Sequence, residues 1–516
     1  MIDLDWRTIN ALKLLLCLAA IPGVAFLWRR NRPRAAWVFV VVGILAFFNF
    51  GAFHIGVFPH SIHYYDIYHY YFGGKYFTEL GYFDLYAATV AADQDGDRFF
   101  DGVEDFEVVR DLRADVVVPW RNVLAEAPRI RDRFSDDRWA EFQAELRFFQ
   151  ANMPPQNWQE ALTDYGFNAP PVWVLTGGLA AHLLSGASLP QLFALAWLDV
   201  VLLGLAFWLV KRAFGLRVMA VAVLFFGLNY TGRYQHVSGS LLRYDWLALL
   251  MAGLSLVRLG RPVPAGICLG WATMLRFFPG LFVAALALHG VVEIYRGGRV
   301  FGQQIRISAV AVGTALVLVC ASFLLPAGPG AWVEYSENIA NHNKRVSEVR
   351  IALPYVFMFT GEWTRDIEGE QRGTTPTWEW RYEKFVKALP AIWAARLIYL
   401  SAFVLVCLRC RSWQALALGL VLVWAFANPG RYYWCMLVLV IPLLFDPPPA
   451  RPRLAIAMTL FGLMASSYAI YHFTWHYPLH QFHMSLVLGV IFAWLLAVIR
   501  REGQSRRRQT ESPPAP

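Results

Sequence analysis

Charged side chains are scarce in this sequence. They make up 16% of its 516 residues, whereas 57% are apolar, and a soluble domain is usually about a quarter charged. A single water-soluble core does not absorb that excess, so a soluble globular protein is excluded. The apolar residues also lack the alternation of a membrane β-barrel, and they form unbroken blocks near the ~20 residues that a helix needs to cross a bilayer. The composition predicts an all-α polytopic membrane protein.

Cysteine is also scarce, and the long loops have none. All six cysteines lie within the apolar blocks or at their ends, which argues against a disulfide framework or a zinc knuckle. The long loops must therefore be held by packing or by a metal ion. The six are Cys17, Cys268, Cys320, Cys407, Cys410 and Cys435.

The net charge of +9 comes from basic residues placed between the apolar blocks and at the C-terminus. That placement sets membrane orientation and does not indicate a nucleic-acid partner. The basic clusters all fall on one side, predicted to be cytoplasmic, if thirteen blocks span the membrane. These blocks are 10–28, 36–57, 191–210, 216–231, 243–258, 263–276, 279–294, 305–325, 390–408, 413–428, 433–446, 454–471 and 483–499.

The alternation of loops divides the chain into six predicted parts. The basic clusters fall on one side of the membrane only if residues 171–184 do not span it. The short length of this segment suits a helix lying along the outer leaflet. The parts are two N-terminal spans (1–58), a large outer, periplasmic loop (59–190), a transmembrane core (191–325), a second outer loop (326–389), the C-terminal transmembrane helices (390–500) and a disordered cytoplasmic tail (501–516).

The start of the large outer loop is rich in aromatic residues around one carboxylate, Asp66. A run of Tyr, Phe and His residues extends from His63 to Phe77. Partial desolvation at a membrane surface would prepare Asp66 for work as a general base, and the rings suit stacking on a sugar or an isoprenoid chain. The alternative is an interfacial aromatic belt with one hydrated Asp.

Three motifs together resemble the first outer loop of the membrane-embedded C superfamily of glycosyltransferases. They are Asp66 just beyond a span, the sequence Asp84-Leu85-Tyr86, and Asn168-Ala169-Pro170-Pro171 opening the next apolar stretch. The segment 265–279, a Gly-rich half-helix followed by Arg276 and Pro279, resembles glycosyltransferase family 87. The basic residue is Arg276 where that family more often has Lys, and the first outer loop is longer than usual.

This resemblance implies a bundle of about 13 transmembrane helices that moves a sugar, with mannose the best expectation. The donor would be a polyprenyl-phosphate sugar, and the acceptor would be a hydroxyl of a lipid or glycan. The reaction would take place on the outer face of the inner membrane. Asp66 would be the base of an inverting displacement, and no organic cofactor is expected. Donor contacts are expected from Arg276, Arg243, Asp245, Lys75 and Tyr70. Of these, Arg243 and Asp245 belong to the outer turn 233–245. Snorkelling to the interface is the alternative for Arg276.

A separate acidic motif spans Asp93 to Glu104. Its carboxylates fall at positions 1, 3, 5, 9 and 12, the spacing of an EF-hand loop, and the residue at position 7 would offer its carbonyl. Arg98 occupies position 6, where glycine is usual. We expect a structural Ca²⁺ clamp, with a solvated acidic turn as the alternative. The ligands would be Asp93, Asp95, Asp97, Phe99, Asp101 and Glu104.

Two other function classes remain open. A transporter or lipid flippase would show intramembrane charge pairs or repeats, and no repeat is obvious. A polysaccharide ligase would use a diphosphate donor. Four histidines near the last outer turn are expected to pack at the interface rather than bind a metal; they are His472, His476, His480 and His483.

Overall fold

The computed structural model describes most of the chain as helix. The described residues are 5–29, 33–48, 62–104, 106–232, 239–297, 302–344, 346–347, 349–359, 377–446, 449–474 and 477–511. Among them the one sheet is a two-stranded antiparallel hairpin, in which β1 (Val108–Asp111) pairs with β2 (Val116–Pro119) and Val109 faces Val118.

A helical segment lies in the described part of each of the thirteen apolar blocks, and residues 49–57 of the second block lie outside the described residues. In the described part, six helices are long and apolar enough to cross a membrane: Arg7–Trp28, Leu189–Phe214, Gln303–Ser322, Arg381–Cys407, Arg451–Phe473 and Tyr477–Ser505. The protein is therefore an all-α membrane protein, as predicted. The other blocks form shorter helices: Pro33–Phe48, Leu216–Leu228, Asp245–Arg258, Pro262–Leu275, Gly280–Tyr295, Ser412–Ala417 with Gly419–Phe426, and Arg431–Leu439 with Val440–Phe445.

Large apolar side chains cover the outside of the long helices. Leu15, Val201, Leu316 and Ile398 are all more than half exposed. In water such a contiguous apolar surface would favour aggregation, whereas hydrocarbon solvates it without cost. The exposed apolar belt is the expected surface of a protein surrounded by lipid.

Residues 62–170 form a helical loop domain between two membrane segments. Its helices and turns are Tyr64–Lys75, Phe77–Leu80, Leu85–Gln94, Phe99–Gly102, Trp120–Glu126, Ala127–Arg131, Asp136–Asn152 and Pro155–Thr163. Aromatic rings fill its core: the Phe72 centroid lies 5.2 Å from those of Phe142 and Phe149, and the Tyr68 centroid 5.3 Å from that of Trp158. Packing of this kind holds the domain without disulfides.

The segment after the loop domain is short and irregular. It runs through a helix at Pro171–Trp173, a π-helical turn at Val174–Gly178 and a helix at Leu179–Leu183. Thirteen residues of helix reach roughly 20 Å, less than the ~30 Å of a hydrocarbon core. Since the helix Leu216–Leu228, which is assigned to a span, is no longer than this segment, the absence of a crossing at 171–184 stays a prediction.

Close helix packing fixes the position of Arg276. The Arg276 half-helix, Pro262–Leu275, lies against Gln303–Ser322, and a Cβ on Gly270 would come within 2.3 Å of the Ala311 carbonyl oxygen. On Gly266 it would come within 2.7 Å of the Ile307 carbonyl oxygen. Small residues four apart allow this approach, as in many membrane helix pairs. The remaining described helices are Gly330–Lys344 and Pro354–Met358, and the full bounds of three of the long apolar helices are Trp6–Arg29, Thr377–Cys407 and Tyr477–Glu511.

Candidate functional site

The structure brings four of the predicted site residues together around the ring of Tyr70. Asp66 lies in the first turn of the helix Tyr64–Lys75, and its Oδ2 is 3.0 Å from Arg243 Nε. The Arg243 guanidinium carbon lies 4.0 Å from the centroid of the Tyr70 ring, and that of Arg276 lies 5.9 Å from it. Two cations and one carboxylate therefore share a buried aromatic environment.

Asp199 holds the backbone of the segment that carries Arg243. Its two carboxylate oxygens accept the backbone N–H groups of Arg243 (2.7 Å) and Tyr244 (2.9 Å). Leu242, just before them, has a left-handed φ of 50°, which a leucine rarely adopts. Sequence reasoning missed Asp199, although a lone carboxylate inside the span Leu189–Phe214 was a signal for it.

Arg276 ends its half-helix in an extended conformation, with φ −154° and ψ 119°. The next helix begins only at Gly280. Arg276 is 7% exposed, and its Nη1 donates to the carbonyl of Leu275 at 2.6 Å. This burial argues against a side chain that snorkels to water. The helix break leaves a cation at the junction of two membrane helices.

Several buried polar atoms in this cluster have no hydrogen-bond partner among the described residues. Each such atom costs about 1–3 kcal/mol when it is desolvated and unpaired, and native interiors contain few of them. A group of them in one place indicates a site that a polar ligand completes. The atoms are Arg243 Nη1, Asp245 Oδ2 and Arg276 Nε, whereas Asp66 Oδ2 and Arg243 Nε face each other in the ion pair at 3.0 Å.

Aromatic side chains form the walls next to these polar atoms. Tyr433 lies 4.9 Å from Phe278 and 5.6 Å from Trp246, measured between ring centroids. A narrow cleft between Arg243, Trp246, Tyr432 and Tyr433 has no space large enough for a water molecule. Small-molecule sites usually measure at least about 300 Å³, so a sugar enters this cleft only if a side chain moves.

His63 connects the two chain segments of the site. Its backbone N–H donates to the Gly239 carbonyl at 2.8 Å, which ties the start of the Asp66 helix to the segment that carries Arg243. Burial lowers the pKa of the His63 imidazole, and the nearby Asp66 carboxylate only partly opposes this effect. At neutral pH the ring is therefore uncharged.

Lys75, predicted to bind the donor, lies in a different cluster. Its Nζ contacts Glu145 Oε1 (2.6 Å), Glu141 Oε1 (2.7 Å) and the Tyr71 hydroxyl (3.0 Å). Since an ammonium group has three donors, none remains for a phosphate. Burial and Glu145 raise the pKa of the Tyr71 and Tyr76 hydroxyls, which both donate to Glu145. The structure therefore places Lys75 in a charge cluster inside the loop domain, apart from Arg243 and Arg276, and its contact with the donor stays a prediction.

The predicted Ca²⁺ ligands are not gathered around a common point. In the described part of the chain, no group of three or more His, Cys, Asp or Glu side chains is arranged to hold a metal ion. Asp93 instead accepts the N–H groups of Phe99 (2.8 Å) and Phe100 (3.2 Å) and the amide of Gln150 (2.8 Å). Burial raises the pKa of Asp93, and these bonds oppose the rise.

The backbone turn is not the obstacle, because Arg98 at the sixth position has the left-handed φ of 52° that glycine usually supplies there. The carboxylates are separated because Asp93 is bonded to groups of the protein itself. Asp95, Asp97, Asp101 and Glu104 are exposed. The solvated acidic turn, with Asp93 as its internal anchor, is the arrangement that the structure contains.

Two further groups of residues can be placed. Both oxygens of Asp84 contact arginines, namely Arg113, Arg129 and Arg133, so Asp84 is not free to act as a base.

His483 bonds the Ser466 hydroxyl at 2.7 Å, and His480 packs on the ring of Tyr230. His476 and residues 233–238 of the predicted donor turn lie outside the described residues.

Comparison with known protein families, with curated proteins and with solved structures finds no match to this chain.

Proposed function

We propose that this protein is a membrane glycosyltransferase that moves a sugar from a polyprenyl phosphate to an acceptor hydroxyl. The observation that carries the proposal is the buried cluster of Asp66, Arg243 and Arg276 around Tyr70, with polar atoms that lack partners. An ionisable cluster at membrane depth marks a functional site in most membrane proteins. Its composition, one carboxylate beside two guanidiniums, matches a reaction that deprotonates a hydroxyl and releases a phosphate.

The chemistry follows from the placement of the charges. Arg276 and Arg243 bind the phosphate, which leaves as the bond from the anomeric carbon to the phosphate oxygen breaks. The acceptor oxygen attacks the anomeric carbon from the opposite side and inverts it, while Asp66 takes the hydroxyl proton. A guanidinium can make forked contacts with phosphate oxygens, which an ammonium cannot. Neutralising the developing phosphate charge lowers the barrier.

The aromatic walls supply the non-ionic part of binding. Tyr70, Tyr432 and Tyr433 lie beside the cations and offer ring faces to a sugar or to the first isoprene units. Asp245, whose Oδ2 accepts no hydrogen bond of good geometry from the described residues, is the partner for a sugar hydroxyl. In this proposal the protein lies in the bacterial inner membrane with the site on the outer face, has thirteen spans arranged as in the C superfamily, and prefers mannose. The acceptor is a lipid or a glycan.

A flippase would use the same ligand without bond cleavage. Asp199 bonds backbone N–H groups, and Lys13 Nζ contacts the Gly227 carbonyl at 3.1 Å. Charges that fix backbone segments favour a preorganised site over a moving pathway. A polysaccharide ligase differs in its donor, which carries a diphosphate.

The direct test incubates purified protein with radiolabelled polyprenyl-phosphate sugars, the matching diphosphate-linked sugars and bacterial membrane lipids. We expect labelled product from a monophosphate donor and none from the diphosphate. Product only from the diphosphate would establish the ligase. Movement of labelled donor across proteoliposomes without product would establish the flippase.

A further inference from the structure

A second cavity lies far from the proposed catalytic cluster. Its volume is about 330 Å³, and it is lined by Trp28, Pro33, Phe214, Gly215, Leu216, Arg217, Val218, Phe445 and Asp446. The helix Asp245–Arg258 connects the two places, since Asp245 belongs to the cluster and Arg258 pairs with Asp446 at 2.9 Å. At 1.5 Å per residue that helix separates them by roughly 20 Å, so the cavity is a separate site.

The cavity lies where membrane helices end. The helices Trp6–Arg29, Leu189–Phe214 and Val440–Phe445 stop here, and Pro33–Phe48 and Leu216–Leu228 begin here. Gly215 makes the turn between two of them with φ 89°, and a Cβ placed there would meet no atom within 4 Å. Helix ends of membrane proteins lie at the level of the lipid headgroups, so the cavity opens at headgroup depth.

Among the described residues of its lining, Arg217 is the one basic side chain and Asp446 the one acidic side chain. The Arg217 guanidinium lies 5.0 Å from the Trp28 ring, and Lys211 and Arg212 lie over Trp37 and Trp208 at 5.5 and 5.7 Å. Arg258 is already paired with Asp446. In the described lining, Arg217 has no carboxylate partner within ion-pair distance. Its positive charge is therefore available to an anion.

The neighbouring tryptophans indicate what kind of anion fits. Trp28, Trp37 and Trp208 combine an apolar body with a polar N–H, and such residues concentrate where headgroups meet hydrocarbon. Trp28 and Phe445, 4.8 Å apart, give the cavity an apolar wall beside the charge. A free inorganic anion has no apolar surface to pack against that wall, whereas a phospholipid covers it with its glycerol and upper acyl carbons.

We infer that this cavity binds the headgroup of an anionic glycerophospholipid, with Arg217 on the phosphate and Trp28 and Phe445 against the glycerol end. Lys211 and Arg212, which lie outside the described lining in the last turn of the helix Leu189–Phe214, add positive charge nearby. Basic pockets between membrane helices bind such headgroups, and each basic residue contributes about a factor of five in affinity.

The test measures thermal unfolding and native mass spectra of the purified full chain in detergent with added phosphatidylglycerol or phosphatidylcholine. We expect phosphatidylglycerol to remain bound and to raise Tm by a few degrees, and phosphatidylcholine to do neither. Arg217→Gln should weaken phosphatidylglycerol binding about fivefold, and Arg217→Lys should retain most of it. Arg261→Gln removes an exposed basic residue outside the lining and should leave binding unchanged.

Three outcomes would overturn the inference. They are equal binding of phosphatidylcholine, equal loss of binding in Arg261→Gln, and stabilisation by inorganic phosphate alone at the same concentration. If Arg217→Gln fails to fold, weakened binding in Trp28→Ala with Arg217 intact supports the site, and unchanged binding contradicts it.

Discussion

At the scale of single residues, Asp199 holds the backbone of Arg243 in place. It is proposed to position the cluster without itself contacting a substrate. Asp199→Ala removes both acceptors for the N–H groups of Arg243 and Tyr244, and each orphaned N–H costs about 1–3 kcal/mol. We expect a lower Tm and weaker donor binding. Asp199→Asn keeps one acceptor, so its Tm and its donor affinity should lie between those of the wild type and of Asp199→Ala. A lower Tm with unchanged donor affinity would show that Asp199 does not position Arg243.

Asp93 provides the residue-scale test of the acidic turn. Asp93→Ala removes three hydrogen bonds and should lower Tm by the equivalent of about 1–3 kcal/mol. Because the structure gathers no metal-binding group there, we expect the same loss with Ca²⁺ and with a chelator. Asp97→Ala, at an exposed carboxylate, is the control. If Ca²⁺ raises the Tm of the wild type and Asp97→Ala abolishes this rise, the acidic turn is a Ca²⁺ site and the prediction is wrong.

At the scale of elements, the two glycines of the Arg276 half-helix determine how deeply that helix packs. Gly270→Ala would place a Cβ 2.3 Å from the Ala311 carbonyl oxygen and push the helix away from Gln303–Ser322. Overpacking of this kind costs about 1–3 kcal/mol, so we expect a lower Tm and weaker donor binding. Gly313→Ala, on the facing helix with open space around it, should be neutral. Equal effects of both variants would refute the packing argument.

The elements also show what the sequence predicts and where prediction stops. Apolar blocks identify helices because burial in lipid depends on composition, which is local information. The spacing of carboxylates after Asp93 and the charge of Lys75 did not indicate their contacts in the structure, because the partners Gln150 and Glu145 lie about 60 residues or more away in the chain. The pairing of Asp66 with Arg243 is likewise a tertiary contact. Both residues were identified, but no local pattern indicates that they touch.

At the scale of the whole molecule, the sidedness of the loop domain decides which compartment supplies the acceptor. Asp136 is 95% exposed in that domain, and Ser505 is exposed near the C-terminus. In a chain whose native cysteines are replaced, Asp136→Cys should react with an impermeant thiol reagent on intact spheroplasts. Ser505→Cys should react only after lysis. The reverse pattern would invert the predicted topology.

The cluster as a whole is proposed to transfer a sugar, and Asp66 is the group whose loss separates chemistry from binding. Asp66→Asn keeps the shape and an oxygen that can still face Arg243, but an amide does not take a proton at neutral pH. Arg276→Ala removes a phosphate contact and should raise the donor Kd instead.

The most direct measurement is therefore single-turnover sugar transfer by purified Asp66→Asn, with donor binding measured on the same preparation. The account predicts a rate lower by about 10²- to 10⁴-fold, the usual contribution of a positioned acid or base, with donor Kd nearly unchanged. A folded Asp66→Asn protein that transfers sugar at close to the wild-type rate would contradict it.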